Sequence, residues 1–415
     1  MPVVLVAYGG GHVAMLAPVA RSLLARGHAV VFLGLTTAGA YLERAGVPCI
    51  GYRHLPEADT ADVVEWGRRL TSELAPGGAV PLQESIAYMG LNYRELVAEH
   101  GNEGAAQLFA QKGRQAFCPV GMFKRWFAML RPSLVMATNS PRSEQAALQA
   151  AAELGVASIC AVDVFALQEI QWIKKPGYAS RICVLNEQVR DMFVAQGCDA
   201  AGVVVTGNPA FERLQHPEVR EAGHALRTAR GWGADEVVIL WASQVEPERH
   251  PFAARQGDPS FPRRVEARLR EFVCDHPQYR LVLRYHPSER VEFQPGQARV
   301  ELSPSSEDLA TLLHAVDIVV VATSTVGLEA HLAGRAVLAV QGSMFSPDAP
   351  YGQMGIATDV ASPELLGQAL SSINLQATPG IDELPERTGQ LSPTQKLVEV
   401  VESLLGASVG GQLPS

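Results

Sequence analysis

The chain has no long apolar run, no cysteine pairing pattern, no surplus of positive charge and no DxD sequence, and each absence removes a class of protein. No stretch approaches the roughly 18 uninterrupted apolar residues of a membrane-spanning helix. No basic segment precedes the short apolar run at the N-terminus, which reads as a strand, so a secretory signal is not expected. The six cysteines (Cys49, Cys118, Cys160, Cys183, Cys198, Cys274) follow neither CxxC nor metal-ligand spacing. Reduced thiols and a cytoplasmic location are the expectation. A net charge of −9 argues against a broad electrostatic surface for nucleic acid, while local basic pockets for a phosphate stay compatible with it. Repeats of solenoid period are also missing.

What is present describes a well-buried α/β protein. Of the 415 residues, 47% are hydrophobic and 19% charged, and a chain of this length suggests two domains rather than one core. Apolar, β-rich runs alternate with helical patterns, the grammar of parallel sheets. Strand candidates in the first half are Val3–Ala7, Ala29–Leu33, Leu134–Ala137, Ser158–Val162, Arg181–Leu185 and Val203–Thr206. In the second half they are Val237–Ala242, Arg280–Tyr285, Asp317–Ala322 and Ala336–Val340, with helical patterns at Pro262–Asp275 and Glu307–Ala315 between them. Residues 55–131 break the rhythm and read as a helical insertion with a break at Pro76-Gly77-Gly78. Gly207-Asn208-Pro209 has the composition of a turn and hinge. The expected division is therefore an N-terminal Rossmann-like domain (1–207) carrying the insertion and a second Rossmann-like domain (208–390) facing it across a cleft. A last helix (391–405), started by Ser392-Pro393, would pack back on the first domain, and 406–415 would form a tail.

Ligands of such sheets collect at the carboxyl ends of strands, so strand-end residues are the site candidates. Tyr8-Gly9-Gly10-Gly11-His12 stands between the first strand and the helix that ends near Arg26. Gly10 and Gly11 would let backbone N–H groups meet a polar or anionic ligand, and His12 in the first helical turn is suited to act as a general base. The plainer alternative is a glycine turn chosen for tight packing with His12 as a solvated cap. Asp163, ending another strand, could orient His12, bind a sugar hydroxyl or be an ordinary loop aspartate. Arg284 and His286 share one face of a strand end and could hold nucleotide phosphates, or be an edge arginine beside a solvated histidine. Ser324 and Thr325 open a short helix and could cradle a phosphate as well as cap it, and Glu329 one turn later could accept from ribose hydroxyls. Ser243 and Gln244 are polar at a further strand end. Phe117, Phe123, Trp126, Phe127 and Met129, interleaved with Lys124 and Arg125, suit either packing of an amphipathic helix or peripheral contact with a membrane surface.

These strand-end elements, in this order, resemble the GT-B glycosyltransferase superfamily over roughly residues 1–50 and 130–405. Gly9-Gly10-Gly11-His12 followed by Met15-Leu16-Ala17-Pro18-Val19-Ala20 is similar to the N-terminal signature of UDP-sugar transferases. These include the lipid-II-forming N-acetylglucosaminyltransferase and the antibiotic and glucuronosyl transferases. Thr206-Gly207-Asn208-Pro209 resembles the interdomain turn of the first of these, and Ser243-Gln244 its donor site. Ser324 to Ala330, with Gly334 and Val337, looks most like capsule-polysaccharide transferases. His286-Pro287 with Ser324-Thr325 is also similar to sialyl-, Kdo- and glycerophosphate transferases, which use CMP- or CDP-linked donors.

The resemblance implies a transferase of bacterial glycan or glycoconjugate biosynthesis, moving a sugar from a nucleotide-sugar to a hydroxyl acceptor. His12 would take the acceptor proton, and by the residue reading above Asp163 could orient it. Ser243, Gln244, Arg284, His286, Ser324, Thr325 and Glu329 would bind the donor. It implies no metal and no cofactor beyond the co-substrate, with UDP or dTDP favoured and CMP admitted. The acceptor would be a glycan, a lipid-linked molecule or a small molecule, and a lipid-linked one would place the 117–129 region at the inner face of the membrane. A nucleotide-sugar hydrolase or hydrolysing 2-epimerase on the same fold is the second reading, although the acidic and arginine N-terminal pattern of such epimerases is not found here. A non-catalytic nucleotide-sugar-binding protein is the third.

Overall fold

The alternation of buried strands and helices resolves into two six-stranded parallel sheets. The structure, a computed structural model, describes residues 1–72, 79–250, 253–375 and 391–410. It separates into two compact units, one of Met1–Ala210 with the residues from Gln390 onward, the other of Phe211–Gly389. The first unit contains β1 (Val3–Ala7), β2 (Val30–Gly34), β3 (Leu134–Thr138), β4 (Ser158–Ala161), β5 (Arg181–Val184) and β6 (Val203–Val205), in the order β2-β1-β3-β4-β5-β6. The second contains β7 (Val237–Ala242), β8 (Tyr279–Arg284), β9 (Val300–Leu302), β10 (Ile318–Val321), β11 (Ala336–Val340) and β12 (Thr358–Val360), in the order β12-β11-β10-β7-β8-β9. These are two Rossmann-like domains, each with flanking helices.

Strands buried on both faces are apolar throughout, as in Val3-Val4-Leu5-Val6-Ala7, and need helices on both sides. In the first unit Val3, Leu5 and Ala7 pack with Leu16, Ala20 and Leu23 of the helix Gly11–Ala25. Leu397, Val398 and Val401 of the C-terminal helix join the same core. That helix is started by Ser392 and Gln395, which bond reciprocally to each other's backbone N–H groups (3.3 and 2.9 Å). It runs to Gly410, so the tail expected from 406 is helical for its first turn, and 411–415 lie outside the described residues. In the second unit Ile239, Trp241 and Leu281 pack on Val265, Leu269 and Val273 of the helix Phe261–Asp275.

Each sheet has one topological switch point. From β1 the chain goes to β2 on one side and β3 on the other, and from β7 to β8 on one side and, later, β10 on the other. The crevice at the carboxyl ends of such a strand pair is where open α/β sheets bind ligands. β9 and β12 were not among the strand expectations. Both are three-residue edge strands that include polar residues (Glu301; Thr358 and Asp359), too short to show a period.

The segment read as an insertion is helical: Ala61–Thr71, Leu82–Lys112 and Val120–Leu130. The first two cross at Gly67 and Gly90, where a Cβ would stand 2.2 Å from the Ile86 carbonyl oxygen and 2.0 Å from that of Val63. The expected break at Pro76-Gly77-Gly78 lies outside the described residues. Of the two readings of 117–129, packing of an amphipathic helix is the one that the burial of its aromatic side chains supports. Phe117, Phe123, Trp126 and Phe127 are buried, Lys124 pairs with Glu153, and Arg125 with Glu57 and Glu95, leaving Met129 as the exposed large apolar side chain of that helix. Among the described residues no helix is long and apolar enough to cross a membrane.

Candidate active site

The glycine turn is shaped by what stands next to it. A Cβ on Gly9 would lie 1.9 Å from Thr37 Oγ1, and Gly10 has φ 72°, a conformation that side chains other than glycine's disfavour. The helix Gly11–Ala25 begins with no side-chain cap, so its first N–H groups face the turn. His12, 23% exposed at its side chain, lies in the first helical turn.

Across the switch point, Thr138 ends β3, and its Oγ1 is 2.7 Å from His12 Nδ1. The Thr138 hydroxyl donates to Glu144, which is wholly buried and also accepts from the backbone N–H groups of Tyr8 (2.7 Å) and Ser140 (3.1 Å). With its proton given to Glu144, Thr138 accepts from Nδ1–H, and this sets the tautomer whose Nε2 carries the lone pair. Burial pushes the Glu144 carboxyl up, opposed by the charge of His12 and by the hydrogen bonds from Thr138, Tyr8 and Ser140. The result is an imidazole held from behind by a hydroxyl and a buried acid.

Asp163, read as orienting His12, binding a sugar hydroxyl or being an ordinary loop aspartate, lies within ion-pair reach of the imidazole. Its Oδ2 is 3.8 Å from Nδ1, beyond hydrogen-bond distance, while Oδ1 accepts from the Val164 N–H at 2.8 Å. The Asp163 backbone is tied on both sides, its N–H to Asn139 Oδ1 (2.9 Å) and its carbonyl to Asn208 Nδ2 (2.7 Å). Thr138 and Glu144 were missed because a threonine ending a strand and a glutamate opening a helix read as ordinary structure. The one available signal was a polar residue at the carboxyl end of a central strand.

The second unit treats its strand ends differently. Gln244, after β7, is buried; its carboxamide oxygen accepts from the N–H and hydroxyl of Thr323, after β10, both at 2.9 Å. Its nitrogen donates to Ser343 Oγ (3.0 Å) and the buried Glu246 (3.2 Å), so the amide bridges the switch point. Ser243 is also buried, donating to Glu289 (2.9 Å) and accepting from Arg263 (2.7 Å). Arg284 was expected to hold phosphates. Its terminal nitrogens instead donate to Ser303 Oγ (2.8 Å) and to the carbonyls of Pro304, Ser305 and Glu307 (3.2, 3.4 and 2.9 Å), which staples that loop to β8. The carboxamide of Gln244, the hydroxyl of Ser243 and the terminal nitrogens of Arg284 thus have partners within the unit.

His286, Ser324, Thr325 and Glu329 are placed otherwise. His286 is exposed, with Nδ1 accepting from the Ser288 N–H at 3.1 Å. Thr325 is exposed at the start of the seven-residue helix Val326–Leu332 and makes no capping hydrogen bond. Ser324 Oγ is 3.4 Å from the Val326 nitrogen, and the Ser324 carbonyl accepts from Tyr351 at 2.9 Å. Burial pushes the Glu329 carboxyl up to about 7, with the charge of Arg284 opposing. No group of three or more His, Cys, Asp or Glu side chains among the described residues is arranged to hold a metal ion.

No protein-family model and no curated protein sequence matches the chain. Solved structures match along nearly its whole length. MnaA of S. aureus, in a structure with UDP, has a TM-score of 0.60 at 12% identity, covering 100% of this chain and 99% of that one. The UDP-GlcNAc 2-epimerase of Neisseria meningitidis, bound to UDP-GlcNAc, has a TM-score of 0.60 at 12% identity, covering 98% and 100%. MurG of Acinetobacter baumannii has a TM-score of 0.56 at 14% identity, covering 97% and 100%. At such identities the likeness is one of fold, and with two six-stranded parallel sheets, each with a switch point, it establishes that this chain has the GT-B fold.

Proposed function

We propose that this chain is an enzyme acting on a UDP-sugar and transferring the sugar to a hydroxyl acceptor. The observation that carries the reading is the His12–Thr138–Glu144 relay at the glycine turn, a base held in one tautomer with Nε2 left for a substrate. The acceptor oxygen bonds to the anomeric carbon, its proton passes to His12 Nε2, and the bond from that carbon to the diphosphate oxygen breaks with its electron pair leaving on UDP. His286, Ser324 and Thr325 would meet the departing diphosphate, and Glu329 the ribose. Ser243, Gln244 and Arg284 would support these groups from behind rather than touch the donor. UDP is favoured because solved structures of this fold hold UDP or UDP-GlcNAc.

A second reading has support in the names of the neighbours, several of which are UDP-GlcNAc 2-epimerases. There His12 would take a proton from water or from carbon 2 of the sugar. Incubation with UDP-GlcNAc in deuterium oxide, with and without a panel of hydroxyl acceptors, separates the readings. Acceptor-linked sugar supports transfer. Deuterium at carbon 2, or free sugar formed regardless of acceptor, would sink it in favour of epimerisation or hydrolysis.

A further inference from the structure

Two cavities open in the first unit, and they share Thr36 and Glu84. Thr36 follows β2, has φ 54°, and precedes Thr37, the residue against which Gly9 packs. A non-glycine residue held in the left-handed region at a strand end is strain of the kind found at ligand sites. The larger cavity, 450 Å³, is lined by groups that already satisfy one another: Glu84 accepts from the N–H groups of Tyr52 and Arg53, and the His54 ring from Gly51 N–H.

The smaller, 370 Å³, differs in chemistry. Beside the shared Thr36 and Glu84 and the neighbouring Ser85, its walls are Leu70, Val80, Tyr88, Met89 and Phe109, with Arg114 at the exposed edge. Phe109 is half-buried and stacks on Phe117, which also meets Tyr88 edge-on, so the aromatic wall is rigid. Arg114 makes no ion pair among the described residues. The volume is that of a small-molecule site. Tyr88 also joins the cavity to the candidate active site, its hydroxyl 3.2 Å from that of Tyr8, which is 3.0 Å from Ser143 Oγ, next to Glu144.

We propose that the 370 Å³ cavity is a binding site for a compact aromatic or alicyclic molecule bearing an acidic group, the ring lying against Tyr88, Met89 and Phe109 and the acid meeting Arg114. That the occupant is the acceptor rests on the transfer reading; that it binds does not. The test uses two fluorescent probes of nearly equal shape, anionic 8-anilinonaphthalene-1-sulfonate and uncharged N-phenyl-1-naphthylamine, titrated into the full chain without nucleotide. One saturable site is expected for each. Filling the cavity from either wall, by Met89→Trp or Leu70→Trp, lowers both affinities by about tenfold or more. Arg114→Glu lowers that of the sulfonate by about fivefold and leaves the uncharged dye unchanged. Thermal midpoints report which variants fold, and two fillings guard against one that does not.

Non-saturable fluorescence, or affinities indifferent to both fillings, overturns the site. Equal loss of both dyes in Arg114→Glu overturns its acidic ligand. Neither result depends on turnover, so failure of the transfer reading leaves the binding result standing. In a working transfer assay the sulfonate competes with the acceptor; competition with the donor alone overturns the acceptor role.

Discussion

The two switch points are built alike and used in opposite ways. In the first unit the crevice between β1 and β3 is crossed by His12 and Thr138, and the bond leaves one nitrogen of the histidine unengaged. In the second, the crevice between β7 and β10 is crossed by Gln244 and Thr323, and every polar atom of the carboxamide is engaged within the unit. A polar residue at a strand end is thus a site residue or a brace according to how many partners its neighbours supply. The first arrangement presents chemistry outward. The second locks three segments, at 244–246, 323 and 343, so that the exposed groups beside them are held in place.

The sharpest way to break this contrast is to remove the outward group. His12→Ala should lower turnover by about 10²–10⁴-fold, the usual contribution of a positioned general base, while leaving nucleotide binding and the thermal midpoint unchanged. Unaltered turnover would reduce His12 to a solvated cap. Removing the inward group should act on stability first. Gln244→Ala leaves the Thr323 N–H and the Glu246 carboxylate short of partners and should cost about 2–3 kcal/mol in urea unfolding. A midpoint within error of wild type, with lost nucleotide binding, would instead make Gln244 a direct donor ligand.

The relay itself can be tested at its hinge. Thr138→Val should lower kcat about tenfold with the donor KM unchanged, Thr138→Ser should restore it, and Asp163→Asn should stay within about threefold of wild type. If Asp163→Asn is the damaging change, the aspartate and not the Thr138–Glu144 pair orients the base. The smallest effect concerns Glu329, whose carboxyl burial pushes from 4.5 up to about 7. A glutamate with a raised folded value binds its proton more tightly in the folded state. The stability it contributes is therefore full below about pH 4.5 and is lost as pH rises toward 7. Glu329→Gln should remove that slope, gaining about 1–2 kcal/mol on wild type between pH 5 and pH 8 in denaturation series. Equal slopes for the two proteins would mean the carboxyl is ionised throughout.

The longer strands were legible because burial on both faces writes itself as unbroken apolar runs: Ile318-Val319-Val320-Val321 needs no partner to be recognised. The edge strands β9 and β12 were not, since three residues half exposed to solvent carry no period. Of the candidate site, the glycine turn and His12 were visible as a strand, a turn and a helix start in succession. Glu144 was invisible, because its burial depends on a contact with Tyr8, 136 residues away. Phe123, Trp126 and Phe127 illustrate another case: an aromatic and basic cluster suits a core or a membrane surface, and only the surrounding helices show these side chains to be buried.

By itself, then, the sequence determined the elements and the places where chemistry could occur, for both follow from local patterns: apolar runs, glycine where a turn must be tight, polar residues where strands end. The tertiary structure alone decided which of those polar residues face outward. That Arg284 meets the carbonyls of Pro304, Ser305 and Glu307 follows from where a loop some twenty residues away returns to the sheet. Hydrogen-bonding capacity is finite and is filled by whatever the fold brings within about 3 Å, and no local pattern records that distance.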